Sequence, residues 1–299
     1  MTPEVLSPSR RKLWLAAIKP PMYSVAVTPL WVGTAIAWAE TGRVNWAIFS
    51  TFLAAAICIV AWSNVSNDVF DAETGIDRNK HHSIVNLMGN KTLAFWISNG
   101  LLALGIAGIL AIAALQQDGT VLGLVLLCCA LGYLYQGPPF RLGYQGLGEI
   151  LCFFAYGPLT LCAVYYSQTQ SWSTANLCAS VFLGLTTTII LFCSHFHQVE
   201  DDVAAGKRSP IVRLGTQRGA VLLNWLCGAA YGSVLAFVAL RLLPLGALLS
   251  LASLPFALKL CQYVGRHHSQ PQAVSSSKFI AVAMHFWSGL LLGLGFLVL

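Results

Sequence analysis

Two short stretches hold most of the acid in this chain. "NVSNDVFDAETGID", residues 64–77, carries Asp68, Asp71, Glu73 and Asp77, and "HFHQVEDDVAAGKRSPIVRLG", residues 195–215, carries Glu200, Asp201 and Asp202. The chain has only eleven Asp and Glu in all, and 9% of its residues are charged, so this concentration needs a cause. Spacings of three and four residues put Asn64, Asn67, Asp68 and Asp71 on one stripe of a helix, with Gly75 as its end and Asp77 turning in from the loop. Ser194, His195, Gln198, Asp201 and Asp202 form a second stripe, from which Glu200 points away. Oxygen-rich stripes of this kind suit hard divalent cations. Mg²⁺ in particular binds through one or two carboxylates together with substrate phosphates. Basic residues trail both stretches: Arg78 and Lys80 after the first, Lys207 and Arg208 after the second. Lys or Arg closing the remaining oxygens of a metal-bridged phosphate is a common way to hold a diphosphate.

The elements that must position these stripes are set by composition. Of the 299 residues, 57% are hydrophobic, and the mean hydropathy is +0.69. A soluble domain has closer to about a quarter of its residues charged, so this is a multi-spanning membrane protein. Spans need about 20 mostly apolar residues each, and nine apolar runs are visible: 21–40, 45–66, 93–115, 120–136, 146–166, 174–196, 219–240, 244–263 and 278–299. Continuous runs of this length, each satisfying its own backbone hydrogen bonds, mean helices rather than a β-barrel. The expected fold is all-α, nine transmembrane helices in a single bundle. Residues 1–20 form a cytoplasmic N-terminal segment, and 21–299 the functional domain.

Of the 17 Lys and Arg, only Arg43 and Arg241 fall on the odd-numbered loops. The positive-inside tendency therefore puts the N-terminus and the even loops, with both acidic stretches, on the cytoplasmic side. Carboxylates near hydrocarbon cost about 2.5–3.5 kcal/mol each at a helix centre, so two acidic clusters on one face ask for a ligand that offsets them. The net charge of +6 is mainly this topology signal, and nucleic acid is not an expected partner. Nine Cys lie inside apolar runs, none in a CxxC pair, and read as small buried hydrophobes. The first fourteen residues have no apolar core, so a cleavable signal peptide is not expected.

"NDVFDAETGID" followed by "VEDDVAAGKRSPIVRLG" resembles the paired aspartate-rich motifs of the UbiA-type intramembrane prenyltransferases. "GPPFRLGYQGLGE" (137–149) and "GKRSPIVRLG" (206–215) are similar to the 1,4-dihydroxy-2-naphthoate prenyltransferases. "GIDRNKHHSIVN" with "HFHQVEDD" is most like the branch found in oxygenic phototrophs, which acts on the route to phylloquinone. The family's first motif is commonly Asn-x-x-x-Asp-x-x-x-Asp. Here Asn67 and Asp71 fit, the third place falls on Gly75, and Asp77 is the stand-in. The second is commonly Asp-x-x-x-Asp, and here Gln198 takes the first place and Asp202 the second.

The resemblance implies Mg²⁺-dependent transfer of a prenyl group, phytyl by the branch, from its diphosphate to a naphthoate acceptor, with loss of the ring carboxylate as CO₂. It also implies a plasma or thylakoid membrane address. The metal shell would comprise Asn67, Asp68, Asp71, Asp77, Gln198, Asp201 and Asp202. Diphosphate oxygens would meet Lys80, Arg141, Lys207 and Arg208. Tyr135 would flank the ring or the developing cation, and His195 would contact the substrate or a carboxylate. Asp71, Asp202 and Arg141 would carry the catalysis.

Other readings stay open on the residues alone. The acceptor could be homogentisate, 4-hydroxybenzoate or a chlorophyllide. A cation-coupled secondary transporter is the rival from another class, but transporters place such carboxylates near the bilayer midplane on broken helices. Here they sit at helix ends on one face.

Overall fold

The computed structural model describes residues 10–76 and 83–298. All regular elements among them are helical. In chain order these are α1 (Arg10–Ile18), α2 (Ser24–Thr41), α3 (Trp46–Thr74), α4 (Ile84–Met88), α5 (Lys91–Gln116), α6 (Thr120–Gln136), α7 (Gly148–Phe154) and α8 (Thr160–Thr169). They continue with α9 (Thr174–His195), α10 (Val199–Ala204), α11 (Pro210–Leu214), α12 (Thr216–Ala239), α13 (Leu254–His267), α14 (Pro271–Val274) and α15 (Ser277–Val298). Eight helical stretches among the described residues are long and apolar enough to cross a membrane, and α6, at 17 residues, is a shorter apolar helix.

The boundaries depart from the hydropathy runs where local chemistry intervenes. The second run, 45–66, continues to Thr74, because no Gly or Pro interrupts it before Gly75. Gly75 closes α3 with φ 75°, its N–H donating to the Asp71 carbonyl. At 29 residues α3 is about 44 Å long, against about 30 Å of hydrocarbon, and its last turns carry Asn67 to Glu73. The fifth run contains Pro158, and the ladder there widens to a π-turn over Ala155–Leu159. The eighth begins as a 3₁₀ stretch, Leu245–Ser253, before Pro255 opens α13.

Close backbone approach organises the bundle. A Cβ at Gly157 would lie 2.7 Å from the Gly184 Cα, so the π-turn and α9 touch main chain to main chain. Gly105 and Gly108 of α5 abut Ala55 and its neighbours on α3. A large core links α2, α8, α9, α12, α13 and α15, and a second one joins α3, α5, α6 and α8. A third, small one (Ala17, Val65, Val69, Ile84, Val85, Ala94) packs α1 and α4 against the end of α3. Part of the N-terminal segment is thus a packed helix under the first acidic stretch. Leu and Trp side chains such as Leu104, Leu115 and Trp225 project outward from the bundle, as lipid contact requires. His285 is a core histidine, its Nδ1 2.9 Å from the Thr186 hydroxyl.

Candidate active site

Among the described residues, the end of α3 with α4, the loop 137–147, residues 196–215 and the turn before α2 meet at one end of the bundle. The first acidic stretch is the end of α3. Asp68 is fully buried, and its Oδ2 accepts a 2.8 Å hydrogen bond from the N–H of Ile84, the first residue of α4. Its Oδ1 lies 3.7 Å from Lys19 Nζ. A carboxylate at a helix start satisfies a donor the helix cannot, so Asp68 also ties α4 and the α1–α2 junction to α3. Asp71, one turn on, has a different partner: the Tyr144 hydroxyl donates to its Oδ1 at 2.9 Å. Thr74 completes the cluster, its Oγ1 2.7 Å from the same hydroxyl. Asn67 is half-buried beside them. Glu73 is exposed and pairs with Lys91 (2.8 Å) and Arg141 (3.0 Å). Asp77 and Lys80 lie outside the described residues.

The second stretch is broken, not continuous. α9 ends at His195, residues 196–198 form a turn, and α10 starts at Val199 with Gln198 before it. The single stripe expected over 194–202 is therefore two pieces, and its neighbours Asp201 and Asp202 part company. Asp201 is exposed, whereas Asp202 is fully buried. Asp202 faces two cationic or ionisable partners, Lys207 Nζ at 3.1 Å from Oδ1 and His195 Nδ1 at 3.4 Å from Oδ2. Burial alone would raise its pKa, but His195 and Lys207 outweigh that and hold the carboxyl below its usual range. Lys207 is itself buried, its amino group 5.8 Å from the centre of the Tyr144 ring.

The 137–147 loop joins the two stretches. It folds back on the end of α6 through Leu142 N–H to Leu134 O and Gly143 N–H to Tyr135 O, both 2.9 Å. Tyr135 fills the space beneath it: a Cβ at Gly143 or Gly148 would come within 2.7 or 2.6 Å of its ring. From the top of the loop the Tyr144 hydroxyl reaches Asp71, while its carbonyl accepts the Arg208 N–H at 2.7 Å. Tyr144, half-buried beside Asp71, has its phenol pKa pushed up by burial first and by the Asp71 charge second, so it stays a donor at neutral pH. Arg213 pins the same loop by hydrogen bonds to the carbonyls of Gln145 and Arg208.

The structure thus gathers Asp71, Tyr135, Arg141, His195, Asp202 and Lys207 around one loop. The Arg208 side chain and Asp201 point out, and Asp68 is engaged beneath. Two residues were missed by the sequence reading. Tyr144 lies in a loop, where no periodicity marks a site residue. Glu149, in the first turn of α7, has its Oε1 3.2 Å from His195 Nε2. It could have been found as the one acidic residue outside the two stretches that follows an even-numbered span.

A divalent ion bridging to a diphosphate fits these residues. Both oxygens of buried Asp202 lack an aligned hydrogen-bond donor, as do both of Glu149. Among the described residues no three His, Cys, Asp or Glu side chains converge to hold an ion unaided. One or two carboxylates suffice for Mg²⁺ when phosphate oxygens and waters supply the remaining ligands.

Residues 26–290 match the UbiA prenyltransferase family, and the chain belongs to that family. It is 54% identical over 97% of its length, and 94% of the relative's, to the 2-carboxy-1,4-naphthoquinone phytyltransferase of Synechocystis sp.. It is 42% identical to the chloroplastic protein of the same description from Arabidopsis thaliana, over 97% of this chain and 78% of that one. Among solved structures it resembles a UbiA homolog from Archaeoglobus fulgidus bound to DMAPP and Mg²⁺, with a TM-score of 0.61 and 17% identity over 93% of this chain and 98% of that one. That likeness concerns the fold.

Proposed function

We propose that this protein transfers a prenyl group, phytyl by preference, from its diphosphate to 1,4-dihydroxy-2-naphthoate with loss of CO₂, in the making of phylloquinone or menaquinone. The observation that carries the reading is the partly buried chain Asp71–Tyr144–Lys207–Asp202, which joins both acidic stretches at one end of the bundle. The names of the relatives supply the acceptor as 2-carboxy-1,4-naphthoquinone, of which 1,4-dihydroxy-2-naphthoate is the reduced form.

In the reaction the allylic C–O bond breaks, a ring carbon forms the new C–C bond, and the ring carboxylate leaves as CO₂. Charge balances with diphosphate as the leaving group. Mg²⁺, when bound, supplies Lewis-acid neutralisation of that leaving group. Asp71 and Asp202 would hold it, with Asn67 and Gln198 as flanking oxygen donors. Lys207 and Arg141 would meet the diphosphate oxygens. Tyr135 gives the allylic cation an aromatic face, and burial within the bundle keeps water from quenching it.

α6 serves as a ninth, shorter span, the N-terminal segment and the site face the cytoplasm, and residues 21–299 form the catalytic domain. The membrane is plasma or thylakoid.

The test uses purified protein in lipid with Mg²⁺, dihydroxynaphthoate and, in parallel, phytyl, geranylgeranyl and longer polyprenyl diphosphates. Prenylated naphthoquinol and CO₂ should appear together and stop on adding EDTA. Folded protein that makes no product with any donor overturns the assignment.

A further inference from the structure

Glu149 stands apart from both acidic motifs, yet its carboxylate is placed against their residues. It opens α7 just after the 137–147 loop, its side chain is 15% exposed, and both oxygens are buried without an aligned donor. Oε1 lies 3.2 Å from His195 Nε2, and the other ring nitrogen, Nδ1, lies 3.4 Å from Asp202 Oδ2. His195 is the last residue of α9 and buried, with the turn 196–198 separating it from α10, which carries Asp202. Asp202 thus sits on a six-residue helix whose connection to the bundle is a bend. The His195 ring is a polar side-chain contact that ties this helix back to the end of α9, beside the packing of Val199 on the core. A ring held at one nitrogen only can swing about its Cβ. Held at both, it has one orientation.

We propose that Glu149 is a positioning residue of the second acidic motif. By presenting its carboxylate 3.2 Å from His195 Nε2 it fixes the imidazole, and through it the orientation in which the Asp202 carboxylate would meet Mg²⁺ and diphosphate. The inference rests on the reading of the site given above. Partners that orient a ligating carboxylate typically govern metal affinity by about 10–100-fold, while leaving acceptor binding alone.

Glu149→Leu removes the acceptor at similar volume, and Glu149→Gln keeps a carbonyl oxygen but no charge. Thermal stabilisation of the full chain in lipid nanodiscs is followed as Mg²⁺ is titrated in the presence of geranylgeranyl thiolodiphosphate, an unreactive donor analogue. E149L should raise the Mg²⁺ midpoint about tenfold or more, with the metal-free Tm and the acceptor KM close to wild type. E149Q should stay within about threefold, since its amide oxygen can face Nε2–H as an acceptor.

A wild-type Mg²⁺ midpoint in E149L overturns the proposal, and so does an equal displacement in both variants, which would make charge the cause. A raised acceptor KM with an unmoved Mg²⁺ midpoint also overturns it, by making Glu149 an acceptor contact. If E149L does not fold, His195→Gln decides: its midpoint must rise comparably, and an unchanged one sinks the idea. Absence of any Mg²⁺-dependent stabilisation in the wild type would instead strike the reading of the whole site.

Discussion

The two ends of this bundle both carry carboxylates against tyrosines, and they treat them differently. At the end remote from the acidic motifs, Glu40 accepts from the Tyr165 hydroxyl (2.5 Å) and the Ser173 hydroxyl (2.7 Å). Asp118 accepts from Tyr166 (2.8 Å) and from the Thr120 N–H that opens α6 (2.7 Å). Each oxygen of these two carboxylates has a neutral donor, and each bond staples a loop or a helix start. Such groups are satisfied by the fold itself. At the motif end the partners of Asp202 are a lysine and a histidine, and its oxygens face them without aligned hydrogen bonds. Taking a carboxylate and an ammonium out of water costs several kcal/mol per ion in real proteins, and a fold that needed only a staple has a cheaper kind in its own far loops. Charge left in that state is suited to being completed by a ligand.

This contrast can be broken most directly at the motif end. Asp202→Ala or Asp71→Ala should lower Mg²⁺-dependent prenyl transfer by at least about a hundredfold, the scale of losing one charge-stabilising group at a reacting centre. The protein should remain inserted and helical by circular dichroism, and normal turnover in either variant would remove the distinction between the two ends. Lys207→Met should cost nearly as much activity, because it removes a diphosphate-facing cation and leaves Asp202 buried with only His195. It should also lower the Tm, since breaking a buried pair costs about 3–5 kcal/mol.

Tyr144→Phe sharpens the comparison further, since it deletes one hydroxyl and nothing else. Loss of its bond to Asp71 is worth about 1.5 kcal/mol, or about tenfold in rate, visible as a lower kcat with the Tm little changed. The smallest effect belongs to the far end. Glu40→Gln should leave turnover and Mg²⁺ dependence at wild-type values and lower stability by about 1–2 kcal/mol, read from the thermal midpoint. A Glu40 variant with altered Mg²⁺ dependence would show that the two ends are not separate.

Hydropathy was sufficient for the bundle, since long apolar runs in lipid have few alternatives to helix. The first motif was legible because α3 is regular through Thr74, so helical spacing held from Asn64 to Asp71 and Gly75 ended it as its type suggests. The second motif was read too smoothly. Nothing in "SHFHQVEDD" announces the turn at 196–198, after which α10 buries Asp202 and leaves Asp201 exposed. Asp68 was placed among metal ligands on spacing, and spacing cannot reveal that the N–H of Ile84, sixteen residues on, is one of its partners. Tyr144 and Glu149 are the instructive omissions. Their roles come from a loop folded over the end of α6, and a loop has no period from which a facing side chain can be inferred.

Tyr144 joins the two acidic stretches by two bonds of unlike kind, its hydroxyl to Asp71 and its main-chain carbonyl to the N–H of Arg208. Only the first depends on which amino acid stands at 144. A lineage that replaced this tyrosine would forfeit the grip on the first stretch at once, yet the second would stay docked, because its tether is spelled in the backbone where codon changes do not reach. Mutational drift at this position can therefore retune one half of the site while the other half keeps its address.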